Sequence, residues 1–193
     1  MDATCLGVAL ITDNQRIMIE KMGEANAEWN SKTTLYWGKG LYEKNVAGIT
    51  ETTDQAVAKA DFSGKEHTNA IITAYTEHSV DMDARDMCKV LQTFNDGENN
   101  GGFTDWYIPA AGQLYEIYTN KTNINAALTA MSSTAFSANN YWSSSEISSN
   151  YGWYVYFSNG SVLNNLKDSY GRVRFVRDIS VSKPLKERIT NIE

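Results

Sequence analysis

The side chains able to do acid, base or nucleophilic chemistry are few in this sequence and poorly spaced for it. Only two histidines occur, His67 and His78, and only two cysteines, Cys5 and Cys88. Neither histidine has an acidic or nucleophilic partner at motif spacing, so each reads as a surface or capping residue rather than a general base. No HExxH pair, GxSxG elbow or Gly-rich phosphate loop is present, and Gly38-Lys39-Gly40 is too short to cradle a phosphate. The cysteines are too far apart to suggest a metal site or a disulfide-stapled framework. They read as buried or incidental thiols, with a single bridge left open. The oxygen-rich run Asn95-Asp96-Gly97-Glu98-Asn99-Asn100-Gly101-Gly102 invites a calcium reading, but an EF-hand loop opening at Asp96 would need its closing Glu where Tyr107 stands. It reads as a surface loop. The expectation is a protein that is not an enzyme and uses no metal or cofactor.

Recognition chemistry is better represented. After Ser132 the composition turns to Ser, Asn, Tyr and Gly, with sparse charge up to Gly171. Tyr gives a large, rigid, amphipathic contact, and Ser, Gly and Asn give adaptable hydrogen bonding, the set favoured in antibody loops. A plain solvated hairpin would share that composition, so both readings stand on composition alone. The net charge of −6 argues against a nucleic-acid partner. Arg172, Arg174 and Arg177 are a local exception, open to a structural ion-pair role or a ligand role.

The elements that must position these residues follow from pattern. At 193 residues and 42% apolar content the chain supports one sizeable core, and a single domain over 1–183 with a short polar tail, 184–193, is expected. Gly7 to Thr12 and Arg16 to Glu20 read as a hairpin about Asp13-Asn14-Gln15. Thr33 to Gly48 reads as an irregular loop. Helices are expected over Thr53 to Ala60, Glu66 to Tyr75 and Ala84 to Phe94, the last with Met87, Val90, Leu91 and Phe94 on one face. A short aromatic strand follows at Trp106 to Ile108. Two more helices are expected over Gln113 to Tyr118 and Ile124 to Met131, with Asn123 as N-cap of the second. Trp153 to Phe157 and Ser161 to Lys167 read as strands joined at Ser158-Asn159-Gly160, and Arg172 to Arg177 as a final alternating strand. No run approaches the roughly 20 apolar residues of a membrane helix. The N-terminus lacks a secretory signal, so either the protein is not exported by that route or a leader has been removed.

Three segments carry a family likeness: Tyr141-Trp142-Ser143-Ser144-Ser145-Glu146, Trp153-Tyr154-Val155-Tyr156-Phe157-Ser158-Asn159-Gly160, and Arg172-Val173-Arg174-Phe175-Val176-Arg177. Together they resemble the variable region of target proteins diversified by diversity-generating retroelements in bacteria and phages. Gly7 to Thr12 and Trp106-Tyr107-Ile108-Pro109 to Leu114 resemble the same family more loosely. The resemblance implies an α+β, C-type-lectin-like fold of the formylglycine-generating-enzyme type, displaying a ligand site over 141–179. It also implies adenine-directed variation, which takes an Asn codon to Tyr, Ser, Asp, Gly, Leu, Ile or Phe but never to Lys, Glu, Gln, Met or Trp. Ile147, Tyr151, Gly152, Tyr156, Ser161, Leu163, Leu166, Asp168, Tyr170, Gly171 and Phe175 stand where variation is expected, and all belong to the reachable set. Trp142, Glu146, Trp153 and Lys167 do not, and are expected to be scaffold. The cysteines that the enzymes of this fold use late in the chain are missing after Cys88, and neither the Glu-Pro-Asn nor the Trp-Asn-Asp calcium signature of sugar-binding lectins occurs.

The resulting expectation is a protein that binds a protein or glycan ligand on a phage virion or bacterial surface, the cytoplasm remaining open. Tyr151, Tyr156 and Tyr170 are its expected aromatic anchors. The alternative is an adhesion module of a tail or fibre, in which the same segment makes subunit contacts.

Overall fold

The apolar runs of Gly7–Ile11 (β1) and Arg16–Glu20 (β2) form the expected antiparallel hairpin, in register from Gly7 opposite Glu20 to Ile11 opposite Arg16. Thr12 closes its turn, its Oγ1 accepting the N–H groups of Asn14 and Gln15. The computed structural model describes residues 5–21, 34–97 and 100–180. The expected tail, Thr33 and the middle of the Asn95–Gly102 loop lie outside the described residues.

The rest is α+β. Among the described residues there are five α-helices: α1 (Gln55–Lys59), α2 (Gly64–Glu77), α3 (Met87–Asp96), α4 (Ala111–Thr119) and α5 (Lys121–Ala130). The remaining strands are β3 (Leu35–Tyr36), β4 (Asn140–Glu146), β5 (Tyr151–Tyr156), β6 (Ser161–Leu166), β7 (Tyr170–Gly171) and β8 (Val176–Asp178). They make three small antiparallel sheets, ordered β1-β2-β8, β3-β7 and β4-β5-β6. No helix of the described residues is long and apolar enough to cross a membrane.

Each helix has a local cause. Asp54 caps α1 by accepting the Ala56 N–H at 2.7 Å. The apolar stripe of α3 is buried as its spacing predicts, with Met87, Val90, Leu91 and Phe94 all in the core. Gln113 reaches back to the Ala110 N–H at 3.0 Å and starts α4. Helix α5 begins before the expected Asn123. Its cap position is Asn120, and Asn123 lies within the helix.

Two apolar clusters fill the interior. One gathers Leu35, Trp37, Leu41, α2, α3, Trp142 and Phe175; the other gathers the hairpin, α4, α5, Tyr141, Trp153, Val155, Phe157 and Val162. Strand β4 runs between them, with Tyr141 in one cluster and Trp142 in the other. Covered on both sides, Tyr141 to Glu146 are buried without interruption.

That placement corrects the sequence reading of Ser143, Ser144 and Ser145 as part of a displayed surface. All three are interior, and each hydroxyl is hydrogen-bonded to buried main chain. Ser143 Oγ donates to the Trp153 carbonyl at 2.8 Å and Ser144 Oγ to the Ile108 carbonyl at 3.0 Å, while Ser145 Oγ accepts the Ala111 N–H at 2.9 Å. The expected aromatic strand is also corrected: at Trp106 to Ile108 only Tyr107 makes a bridge, to Val176.

The arginine strand is shorter than its alternation suggests. Only Val176–Asp178 joins a sheet, beside β2, because Arg174, Phe175 and Val176 are buried consecutively instead of alternately. Arg174 lies 3.5 Å from Glu20 and donates to the Thr134 carbonyl at 2.8 Å, and Arg177 grips Asp105 through two bonds of 2.8 and 3.0 Å. The Arg177 guanidinium holds the Asp105 carboxyl below the usual carboxylate range. Two of the three arginines are therefore structural, and Arg172 is half-buried.

Candidate functional site

The register of β5 and β6 decides which expected display positions converge. Cross-strand partners share a face and successive residues alternate. Tyr154 opposes Leu163 and Tyr156 opposes Ser161, so these four lie on one face. Tyr151 opposes Leu166 on the other. The expected trio of anchors is thus divided: Tyr151 does not join Tyr156.

Tyr170 does. Asn140, paired with Tyr156 across β4 and β5, donates from Nδ2 to the Tyr170 carbonyl at 3.3 Å. The Tyr170 ring stacks on Tyr36 at a 4.6 Å centroid separation, and the two hydroxyls are 2.8 Å apart. Arg85 Nη1 donates to the Tyr170 hydroxyl at 2.8 Å, and its guanidinium carbon stands 5.4 Å from that ring centre. The hydrogen bond from Tyr36 and the Arg85 charge favour the Tyr170 phenolate and lower its pKa. Tyr36 and Arg85 are functional candidates that sequence reasoning missed. They lie 134 and 85 positions before Tyr170, and no local signal links them to it.

The outcome is an exposed face with Tyr156, Leu163 and Tyr170 at 37%, 38% and 45% exposure. It rests on fixed supports: Tyr154 meets Trp142 edge-on at 5.9 Å, and Trp142 Nε1 donates to the Leu35 carbonyl at 3.1 Å. Single exposed apolar residues are ordinary, whereas a cluster held by a rigid sheet is what binding surfaces use.

The other expected positions are dispersed. Asp168 is exposed in the turn after β6, and Ile147 is half-buried against the second cluster. Three positions are not on the surface at all. Phe175 is 2% exposed and packs on Phe94 at 5.3 Å. Gly152 and Gly171 are buried, and a Cβ on either would stand 2.6 Å from the Trp37 or the Trp142 indole. These three are corrected to core positions: all are buried, and a side chain at Gly152 or Gly171 would require the neighbouring indole to shift.

The four positions expected as scaffold are all buried. Trp153 Nε1 donates to the Thr52 carbonyl at 3.2 Å. Lys167 Nζ is hydrogen-bonded to Glu146 Oε1, donates to the Lys44 carbonyl at 2.7 Å, and stands 4.8 Å from the centre of the Trp37 ring. Burial pushes the Glu146 carboxyl up and the Lys167 ammonium down, and their mutual attraction opposes both shifts.

His78 is at the surface as expected, with Nε2 2.9 Å from the Asn45 carbonyl. His67 is not: it is 7% exposed, its Nδ1 3.4 Å from Asp61 Oδ2. Asp61 in turn accepts from Ser145 of β4, so His67 adjoins that strand.

A family model, the Lcl C-terminal domain, matches residues 27–177. This chain belongs to the Lcl C-terminal domain family. The match takes in every strand from β3 to β7 and all eleven expected display positions. Among solved structures, this Lcl C-terminal domain is similar to a fimbrial protein from Bacteroides ovatus ATCC 8483, with a TM-score of 0.62 and 16% identity. The likeness covers 85% of this chain and 36% of the other, so the chain spans about a third of that protein's length. At that identity the likeness concerns the fold. No curated protein matches by sequence.

Proposed function

We propose that this domain is a recognition module of a bacterial or phage surface protein, binding a protein or glycan through the face of Tyr36, Tyr156, Leu163 and Tyr170. The observation that carries the reading is the joining of Tyr156 to Tyr170 through Asn140, with Tyr36 and Arg85 behind. Aromatic and aliphatic groups held on a stiff sheet lose little entropy on binding, which is the physics of an anchor. The short sheets and helices support a C-type-lectin-like reading of the scaffold. Diversification by adenine-directed copying is the finer form of this proposal. It is confined to the eight positions that reach the surface at least in part: Ile147, Tyr151, Tyr156, Ser161, Leu163, Leu166, Asp168 and Tyr170.

The test combines Tyr156→Ala, Leu163→Ala and Tyr170→Ala in one variant and compares it with the parent on a glycan array and an array of immobilised surface proteins. Anchors of this kind lose about 2 kcal/mol or more each on truncation, so every specific signal should vanish. The thermal midpoint should move by only a few degrees, since all three are exposed. A variant retaining the parent's signals overturns the assignment.

A second reading draws on the likeness to part of a fimbrial protein: the same face is buried between subunits of a fibre. Sizing at micromolar concentration separates the two. A stable oligomer dispersed by the triple variant favours the fibre, and a monomer favours ligand capture.

A further inference from the structure

A cavity of about 290 Å³ lies apart from the recognition face, where the Glu146 end of β4 meets α1 and the start of α2. Its polar lining is Asp61, His67, Ser145 and Glu146 with the hydroxyls of Thr50 and Thr52, and its apolar wall includes Val57 and Ala60. Among the described residues, neither lysine nor arginine lines it.

The lining offers acceptors in its two carboxylates and in hydroxyls that can accept as well as donate. Asp61 Oδ1 takes the Ser63 N–H at 3.0 Å, and Oδ2 takes the Ser145 hydroxyl. The Glu146 charge is answered from behind by Lys167. His67 Nδ1 has no hydrogen-bond partner, although the residue is more than nine-tenths buried. Burial holds the imidazole below its ordinary pKa against the pull of Asp61 and Glu66, so the ring is neutral at pH 7 and supplies no counter-charge. A neutral imidazole keeps one ring nitrogen as an acceptor for an occupant. Leaving the buried Nδ1 unpaired costs about 1–3 kcal/mol.

We propose that this cavity binds a primary alkylammonium group, its N–H bonds directed at Asp61 and His67 and its alkyl chain lying along Val57 and Ala60. An ammonium has three donors and no acceptor, matching a lining of acceptors around one unneutralised carboxylate. Val57 is exposed at the rim and offers the chain an apolar surface on the way in. The shared chemistry is that of a lysine side chain on a partner protein and of a free aliphatic amine. The site is independent of the recognition face, so either can fail without the other.

With only two histidines in the chain, long-range proton–nitrogen NMR gives one resonance set for His67 and an internal control in His78. Titration with n-butylamine should shift the His67 ring nitrogens, leave His78 unmoved, and saturate at millimolar concentration, roughly the affinity of a single charged contact. Isosteric n-butanol should produce no such shift. Nα-acetyl-lysine methylamide against 1,5-diaminopentane then distinguishes the sources: tighter binding of the first marks a protein lysine, and of the second a free amine. Val57→Trp closes the rim from an exposed position without touching the core, and should weaken butylamine at least tenfold. Asp61→Asn should do the same wherever the variant keeps the parent's backbone spectrum. No His67 shift at roughly 50 mM butylamine, equal response to butanol, or unchanged affinity in Val57→Trp overturns the proposal.

Discussion

Replacing Lys167 by Met tests the most consequential polar contact in the core. In the parent, the Glu146 carboxylate is held by the Lys167 ammonium and by the Val46 N–H at 3.2 Å, with neither charged side chain reaching solvent. Methionine fills most of the lysine's volume, so little cavity arises and the loss is electrostatic. It leaves a carboxylate with one neutral donor and takes the donor from the Lys44 carbonyl. Breaking a buried pair from one side costs about 3–5 kcal/mol. For a chain of this size each kcal/mol moves the thermal midpoint by about 2–4 °C, so the variant should melt about 6–20 °C below the parent.

The pH dependence gives a second, sharper reading. Burial already raises the Glu146 pKa, and removing the attraction that opposed the shift raises it further. A carboxyl with a raised folded pKa takes up a proton on folding, so its contribution to stability is retained below the ordinary carboxylate value and lost as pH rises from there to the folded value. The deficit of Lys167→Met should therefore be largest at neutral pH and shrink as pH falls towards the usual glutamate range, about 4.3. Urea midpoints at a series of pH values measure this directly. Adding Glu146→Leu should recover much of the loss, since two apolar groups replace an unpaired charge. A single variant within about 1 kcal/mol of the parent, or a double variant with summed losses, would refute the reasoning.

Gly171→Ala should destabilise by about 1–3 kcal/mol in a urea titration: its Cβ would meet the Trp142 indole at 2.6 Å, and that ring is fixed by its bond to Leu35. An unchanged midpoint would show that Trp142 can move and would return Gly171 to the set of variable positions. A thiol reagent should modify Cys5 in the folded protein and Cys88 only after unfolding, because Cys88 is fully buried and burial raises its pKa. Peptide mapping after a short exposure reads this, and equal labelling of both would contradict the placement of Cys88.

Where local chemistry decides the outcome, the sequence was legible. The opening hairpin has its turn, α3 its stripe, and the Tyr156 to Ser161 connection has Gly160 at φ 78° as a tight turn requires. Strand β4 was not read as one, because its serines carry no apolar alternation. Their reason for being there is backbone at Trp153 on the adjoining strand and at Ile108 and Ala111, which are remote in sequence. The arginine segment erred the other way: its alternation is real, but it runs along backbone that pairs only from Val176. The site divides similarly. Trp142, Glu146, Trp153 and Lys167 are buried, while the loss of Phe175, Gly152 and Gly171 to the core reflects packing against Phe94, Trp37 and Trp142. No codon or composition argument sees those partners.

Strand β4 has a kinetic consequence. Beyond its local partner β5, it packs against helices and loops from distant parts of the chain in both apolar clusters, so neither cluster is complete until it docks. Long loops must be ordered before those contacts form, which makes β4 docking the natural slow step of folding. The same coupling acts in reverse: amide protons of the two clusters should exchange as one cooperative unit, with no half of the molecule surviving the departure of that strand.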